Sequence, residues 1–173
     1  MGGTGDELTE RYYGSMSHLQ AVWKSGPFLL DRLDGVAASL WSELQHRMET
    51  DHFGNPLGVV ALQGAMGAGK TTFVRALGKL IGMDGDAVSP TFGLVQGYRK
   101  DDWQLFHLDL YRLKDESEAW DLGLTEYFDS DALCVVEWPE QAPGLLPSHS
   151  FLLQVIVHGA HDSGARELIL SHS

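Results

Sequence analysis

The stretch Gly64-Ala65-Met66-Gly67-Ala68-Gly69-Lys70-Thr71-Thr72 constrains this chain more than any other. It has the spacing G-x-x-x-x-G-K-[ST], follows the apolar run Gly58 to Gln63, and precedes Phe73, Val74, Leu77, Leu80 and Ile81 at helical spacing. A strand, a glycine turn and a helix in that order form a cradle for phosphate. Glycines let the backbone curl with its N–H groups inward, a conformation that β-carbons obstruct. The helix start adds the positive end of its dipole. Gly64, Gly67, Ala68 and Gly69 line the expected cradle, with Thr72 at its edge in the first helical turn. Lys70 is placed to reach the β- and γ-phosphates of a nucleotide and the Thr71 hydroxyl to ligate Mg²⁺.

A length of 173 residues suits one domain with its own core. The composition, 43% apolar and 21% charged, is that of a globular protein. No apolar run approaches the roughly 20 residues that cross a bilayer. Met1 to Glu7 lacks the basic and apolar regions of a secretory signal, so the expectation is a cytosolic chain. With 12 basic against 24 acidic residues, a net charge of −12, strong direct binding to DNA or RNA through phosphate contacts is disfavoured. Cys134 is the single cysteine and lies in the apolar run Ala132 to Val136, where a buried, inert thiol is expected.

Residues 1–30 carry no readable chemistry, although Thr4 to Tyr13 has room for a turn or two of helix. From Asp31, the spacing of Leu33, Val36, Ala37, Leu40, Trp41, Leu44 and Met48 predicts an amphipathic helix, with Asp34-Gly35 as its expected start. A loop over Glu49 to Pro56 leads to a buried strand at Leu57 to Leu62. The helix after the glycine loop stops at Gly82. Pro90 keeps Ser89 to Phe92 extended. Gly93 to Tyr98 and Trp103 to Leu108 read as a hairpin, Glu116 to Phe128 as two short helical pieces broken at Gly123, and Ala132 to Val136 as a wholly apolar strand. Phe151 to Val157 and Glu167 to Leu170 close the chain as an antiparallel pair. The predicted class is α/β, one domain with a phosphate-loop nucleotide-hydrolase fold: a central mixed sheet flanked by helices.

Open α/β sheets bind ligands beyond the carboxyl ends of their strands. Two acids stand at such ends, Asp109 after Gln104 to Leu108 and Glu137 after Ala132 to Val136. Either can hold hydrated Mg²⁺ beside a bound phosphate, and either can instead cap a helix or make a surface ion pair. Glu137, on the more apolar and so more central strand, is assigned to the metal, and Asp109 to orienting or deprotonating the attacking water. The reverse assignment uses the same two residues. His107 fits a packed, hydrogen-bonded role or a catalytic one. Arg112 fits stabilisation of transferred charge or a loop-positioning ion pair, and Trp138 fits a pocket wall or the core. His158, His161 and His172 lack metal-ligand spacing and are expected at the surface.

Taken in order, Gly64 to Thr72, Ser89-Pro-Thr-Phe92 with Leu94-Val95 and Tyr98, His107-x-Asp109-x-Tyr111-Arg112, Leu122-Gly-Leu124 with Glu126-Tyr127, and Glu137-Trp138-Pro139-Glu140 closely resemble the TsaE (YjeE) family over roughly Asp31 to Leu170. That resemblance implies a small ATPase that binds ATP with Mg²⁺ and hydrolyses it weakly alone. It also implies partners, TsaB and TsaD, in making N6-threonylcarbamoyladenosine at position 37 of tRNA. By the same resemblance Lys70, Asp109 and Glu137 are the catalytic positions, Thr71 and Glu137 the metal positions, and Ser89 to Phe92 a switch-like segment in which Thr91 senses the γ-phosphate. Residues 1–30 match poorly and are assigned to an N-terminal extension, leaving 31–173 as the ATPase domain. Ala65-Met66 replaces the family's usual Asp-Leu, and Gly93 and Gly97 stand where Thr and Glu are frequent. Two other classes share the loop. A small-molecule kinase usually carries an arginine-rich lid, and no two-arginine segment occurs here; a guanine-specific switch needs N-K-x-D, which is absent.

Overall fold

The computed structural model describes residues 18–83, 87–91, 93–159 and 164–173, with 87–91 described as backbone only. The Thr4 to Tyr13 turn therefore lies outside the described residues, as do His161, Phe92 and the side chains of Ser89, Pro90 and Thr91.

The described strands are β1 (Gln20–Lys24), β2 (Glu49–Thr50), β3 (Pro56–Gly64), β4 (Ala87–Thr91), β5 (Val95–Lys100), β6 (Trp103–Asp109), β7 (Ala132–Glu137), β8 (Phe151–His158) and β9 (Ala165–His172). The helices are α1 (Leu33–Arg47), α2 (Lys70–Leu80), α3 (Glu116–Asp121) and α4 (Thr125–Phe128). The sheet runs β1-β9-β8-β3-β7-β6-β5-β4, and β2 pairs with β3 off that path. Its middle, β8-β3-β7-β6, is parallel, and both flanks are antiparallel. The mixed sheet with helices over it is the architecture expected from the sequence.

Side chains on successive strand residues face opposite ways, and this alternation sorts the core into two layers. Val60, Leu62, Leu133, Val135 and Leu153 face α1 and α2, where Ala37, Leu40, Leu44, Phe73, Val74 and Leu77 cover them. Val59, Leu108, Cys134 and Val136 face the other way, onto Leu94, Leu110, Ala119, Leu124 and Leu145. Both faces of β7 are covered and all six of its residues are buried. That is why the run from Ala132 reads as continuously apolar rather than alternating.

Several expectations shift, and within the expected loop Glu49 to Pro56 the residues Glu49–Thr50 form β2 against Pro56 and Leu57. Helix α1 begins at Leu33 after a short 3₁₀ turn, Leu30–Arg32, without a side-chain cap, so Asp34 lies inside its first turn rather than at its start. Strand β5 begins at Val95 rather than Gly93, because Gly93 takes a left-handed φ of 69° in the turn before it. Within 1–30, residues 20–24 form an edge strand on β9, and Phe28 bridges Arg166.

Candidate functional site

Parallel pairing sets the site. β3 lies between β7 and β8, with Leu62 opposite Glu137 and Gly64 opposite Val155, while β6 pairs β7 with Asp109 opposite Glu137. The carboxyl ends of three neighbouring strands therefore reach one level, and the glycine loop leaves from the middle one. Gly67 and Gly69 have φ of 73° and 104°, a region that disfavours any β-carbon. Gly64 is needed for another reason: a β-carbon there would stand 2.9 Å from the Val155 carbonyl oxygen. Gly69 opens α2, whose first-turn N–H groups have no partner within the helix and face the loop.

Lys70 is 5% exposed, so its ammonium is held by the protein rather than by water. Nζ donates to the Gly64 carbonyl at 2.6 Å and the Ala65 carbonyl at 3.0 Å. The Trp138 ring covers it with its centroid 3.8 Å away. Burial holds the ammonium below its ordinary pKa, against the pull of Glu137, Glu140 and Asp109, each of which favours the charged form. Trp138 reaches this place through a left-handed backbone, φ 58° and ψ 50°, and its ring lies 5.0 Å from that of Tyr111.

The Thr71 hydroxyl donates to Glu137, at 2.9 Å from Oε1 and 3.2 Å from Oε2. His107 Nε2 stands 2.8 Å from Oε1 of the same carboxylate. Glu137 and His107 are buried, while Thr71 is exposed, so the array runs from the core out to the mouth of the loop. Asp109 reaches the same level, but its side chain accepts from the Tyr111 N–H at 3.1 Å and caps the turn Leu110–Arg112. Arg112 is exposed at the end of that turn. Of the sequence-predicted residues, the structure thus gathers Gly64, Lys70, Thr71 and Glu137 by direct contact. Asp109 is beside them in register, and the Thr91 side chain is outside the described residues.

Two features were not read from the sequence. Glu140, in the 3₁₀ turn after Trp138, has a buried Oε2 without a hydrogen-bond partner among the described residues, and burial raises its carboxyl pKa. A cavity of about 480 Å³ also opens beside the loop, lined mainly by apolar groups from Phe28 to Leu30, by Gly67 to Gly69 with Thr72, and by Val155, Arg166 and Leu168. Arg166 Nε reaches the Ala68 carbonyl at 3.4 Å, tying β9 to the loop. The cavity's walls come from three distant segments, which no local pattern relates. Trp138 did leave a signal, an aromatic residue directly after a strand-end acid.

A hard-oxygen pair, one hydroxyl and one carboxylate, suits Mg²⁺, which keeps several ligands from water and phosphate. Among the described residues no group of three or more His, Cys, Asp or Glu forms a complete metal cage. Thr71 and Glu137 thus offer two of the oxygen ligands such an ion takes, the rest being open to water or a bound anion.

Fold and site together define the class: a single-domain α/β protein with a glycine-rich strand–loop–helix at the carboxyl edge of a mixed sheet. The family model described as "Threonylcarbamoyl adenosine biosynthesis protein TsaE" matches residues 36–168, and the chain belongs to that family. It is 40% identical over 97 residues to the tRNA threonylcarbamoyladenosine biosynthesis protein TsaE of Haemophilus influenzae, an alignment covering 56% of this chain and 61% of that protein. It is also 40% identical over 113 residues to the Bacillus subtilis protein of the same name, covering 65% and 69%. The alignment thus spans about three fifths of the Haemophilus relative's length. The crystal structure of Bacillus subtilis YdiB superposes with a TM-score of 0.63 over 89% of this chain and 86% of that one, at 24% identity, which establishes likeness of fold.

Proposed function

We propose that this chain binds ATP with Mg²⁺ at Gly64 to Thr72 and hydrolyses it slowly on its own. In this reading it serves the formation of tRNA N6-threonylcarbamoyladenosine in the cytoplasm, together with TsaB and TsaD. The observation that carries the nucleotide half is the 2.9 Å contact between the Thr71 hydroxyl and Glu137 at the start of a helix opened by Gly69. Family membership carries the pathway half.

Each residue then has a task. The loop N–H groups and the α2 dipole receive the phosphate oxygens of ATP. Among the described residues Lys70 Nζ donates to the Gly64 and Ala65 carbonyls, and an anionic phosphate is a stronger acceptor for its ammonium. Thr71 and Glu137 would hold Mg²⁺, which would supply charge neutralisation to the phosphates. Asp109 orients the water that attacks the γ-phosphorus, giving ADP and phosphate. The cavity walled by Phe28, Leu29 and Arg166 receives the adenine, an apolar ring with polar edges, of a size such pockets accept. The acidic chain, at −12, is suited to dock on a basic partner surface.

Phosphate release from ATP, followed with and without TsaB and TsaD, tests both halves. Lys70→Ala is expected to bring release to background, and ATP with Mg²⁺ to increase recovery of TsaB and TsaD on the immobilised chain. Recovery that ignores nucleotide refutes the partner half alone. Release unaffected by Lys70→Ala refutes the catalytic half.

A further inference from the structure

Glu137 sits at the end of β7, and β6 lies beside it in parallel register with His107 opposite Val135. Val135 faces α2, so His107, Asp109 and Glu137 share the side of the sheet on which the first turn of α2 places Thr71. The Thr71 hydroxyl lies within hydrogen-bonding distance of both carboxylate oxygens, 2.9 and 3.2 Å, and so does not select between them. The last torsion of a glutamate is broad. His107 Nε2 contacts Oε1 at 2.8 Å, which distinguishes the two oxygens. A carboxylate only accepts, so the proton of that bond resides on Nε2. His107 is 8% and Glu137 2% exposed, leaving little room for water to replace the imidazole.

We propose that His107 is a positioning residue for Glu137: its Nε2–H fixes Oε1 and the plane of the carboxylate, so that the group meets Thr71 and an incoming divalent ion in one orientation. The inference rests on the reading of Thr71 and Glu137 as the residues that hold Mg²⁺. Partners that orient a metal-holding group in this way typically change metal affinity by about 10- to 100-fold when removed.

The test uses the full chain with Mn²⁺ as the probe. Calorimetry measures Mn²⁺ affinity at saturating ADP and, separately, ADP affinity in excess chelator, for wild type, His107→Leu and His107→Gln. Glutamine carries an amide N–H near the position of Nε2. The expected result is Mn²⁺ affinity lowered about 10-fold in His107→Leu, ADP affinity in chelator within about twofold of wild type, and most of the Mn²⁺ loss recovered in His107→Gln. If the leucine variant does not fold, His107→Asn, polar but too short to reach Oε1, supplies the same comparison. Equal loss of Mn²⁺ and chelated-ADP affinity identifies a packing role and overturns the inference, as does unchanged Mn²⁺ affinity. If wild type itself shows no Mn²⁺ binding with ADP, the metal reading fails, and this inference fails with it.

Discussion

Replacing Gly64 by alanine tests whether the glycine loop leaves β3 as tightly against β8 as described. An added Cβ would stand 2.9 Å from the Val155 carbonyl oxygen, 3.1 Å from the Val155 Cβ and 3.4 Å from the Ala68 Cβ. The first contact is with backbone, and Val155 is the register partner of Gly64, so no side-chain rotation relieves it. The strands must part by a few tenths of an ångström across buried ladder bonds. Overpacking of that kind costs about 1–3 kcal/mol. For a chain of this length each kcal/mol lowers Tm by roughly 2–4 °C, so a cost of about 2 kcal/mol gives a fall of roughly 4–8 °C. Urea unfolding followed by circular dichroism supplies the free energy, with an unchanged slope showing that the same surface unfolds. Gly67→Ala is the control: nothing stands within 4 Å of its Cβ, and only the φ of 73° opposes alanine. It should cost about 1 kcal/mol. A Gly64→Ala protein within about 0.5 kcal/mol of wild type would refute the close approach of the loop to β8.

Trp138→Ala uncovers Lys70; because burial is the main cause of the lysine's lowered pKa, that pKa rises toward its ordinary value, which the pH dependence of Lys70 acylation read by mass spectrometry will report. An unchanged profile would show that the ring does not shield the ammonium. For Glu140, burial raises the folded-state pKa, so the acid stabilises the fold below its unfolded pKa and loses that contribution as pH rises through the folded one. Glu140→Gln should therefore raise stability at neutral pH by about 1 kcal/mol, with the gain shrinking as pH falls to about 4.3; a gain that persists there contradicts the assignment. Cys134 is buried, donates to the Tyr127 carbonyl and has its pKa pushed up to about 12, so a thiol reagent at mildly alkaline pH should label it only after denaturant is added.

What was legible in the sequence follows from the kind of burial. β3 and β7 are covered on both faces and announce themselves as apolar runs ending in Gly64 and Glu137, the two groups that frame the site. Helix α2 was equally plain, since its apolar spacing continues directly from Lys70. β1 was not: Gln20–Lys24 is an edge strand without a buried residue, and its pairing with β9 spans almost the whole chain. The ends of β9 lay outside the apolar pattern because Arg166, Ser171 and His172 are polar, although Ser171 is buried in the sheet. The cavity beside the loop depends on Phe28, Gly67 and Arg166 meeting, which periodicity cannot report. His107 was visible as a residue on a strand, but its contact with Glu137 needed the β6–β7 register.

In the proposed function, Gly64 to Thr72 grips a nucleotide with the help of a metal held by Thr71 and Glu137. Isothermal titration of ATP into wild-type chain and Thr71→Val, each with Mg²⁺ and with chelator, addresses it directly. The expected result is a saturable isotherm in wild type, weakened at least about tenfold by chelator, and a much smaller chelator effect in Thr71→Val. Folded wild-type chain that releases no heat, or binds ATP identically with and without Mg²⁺, would contradict it.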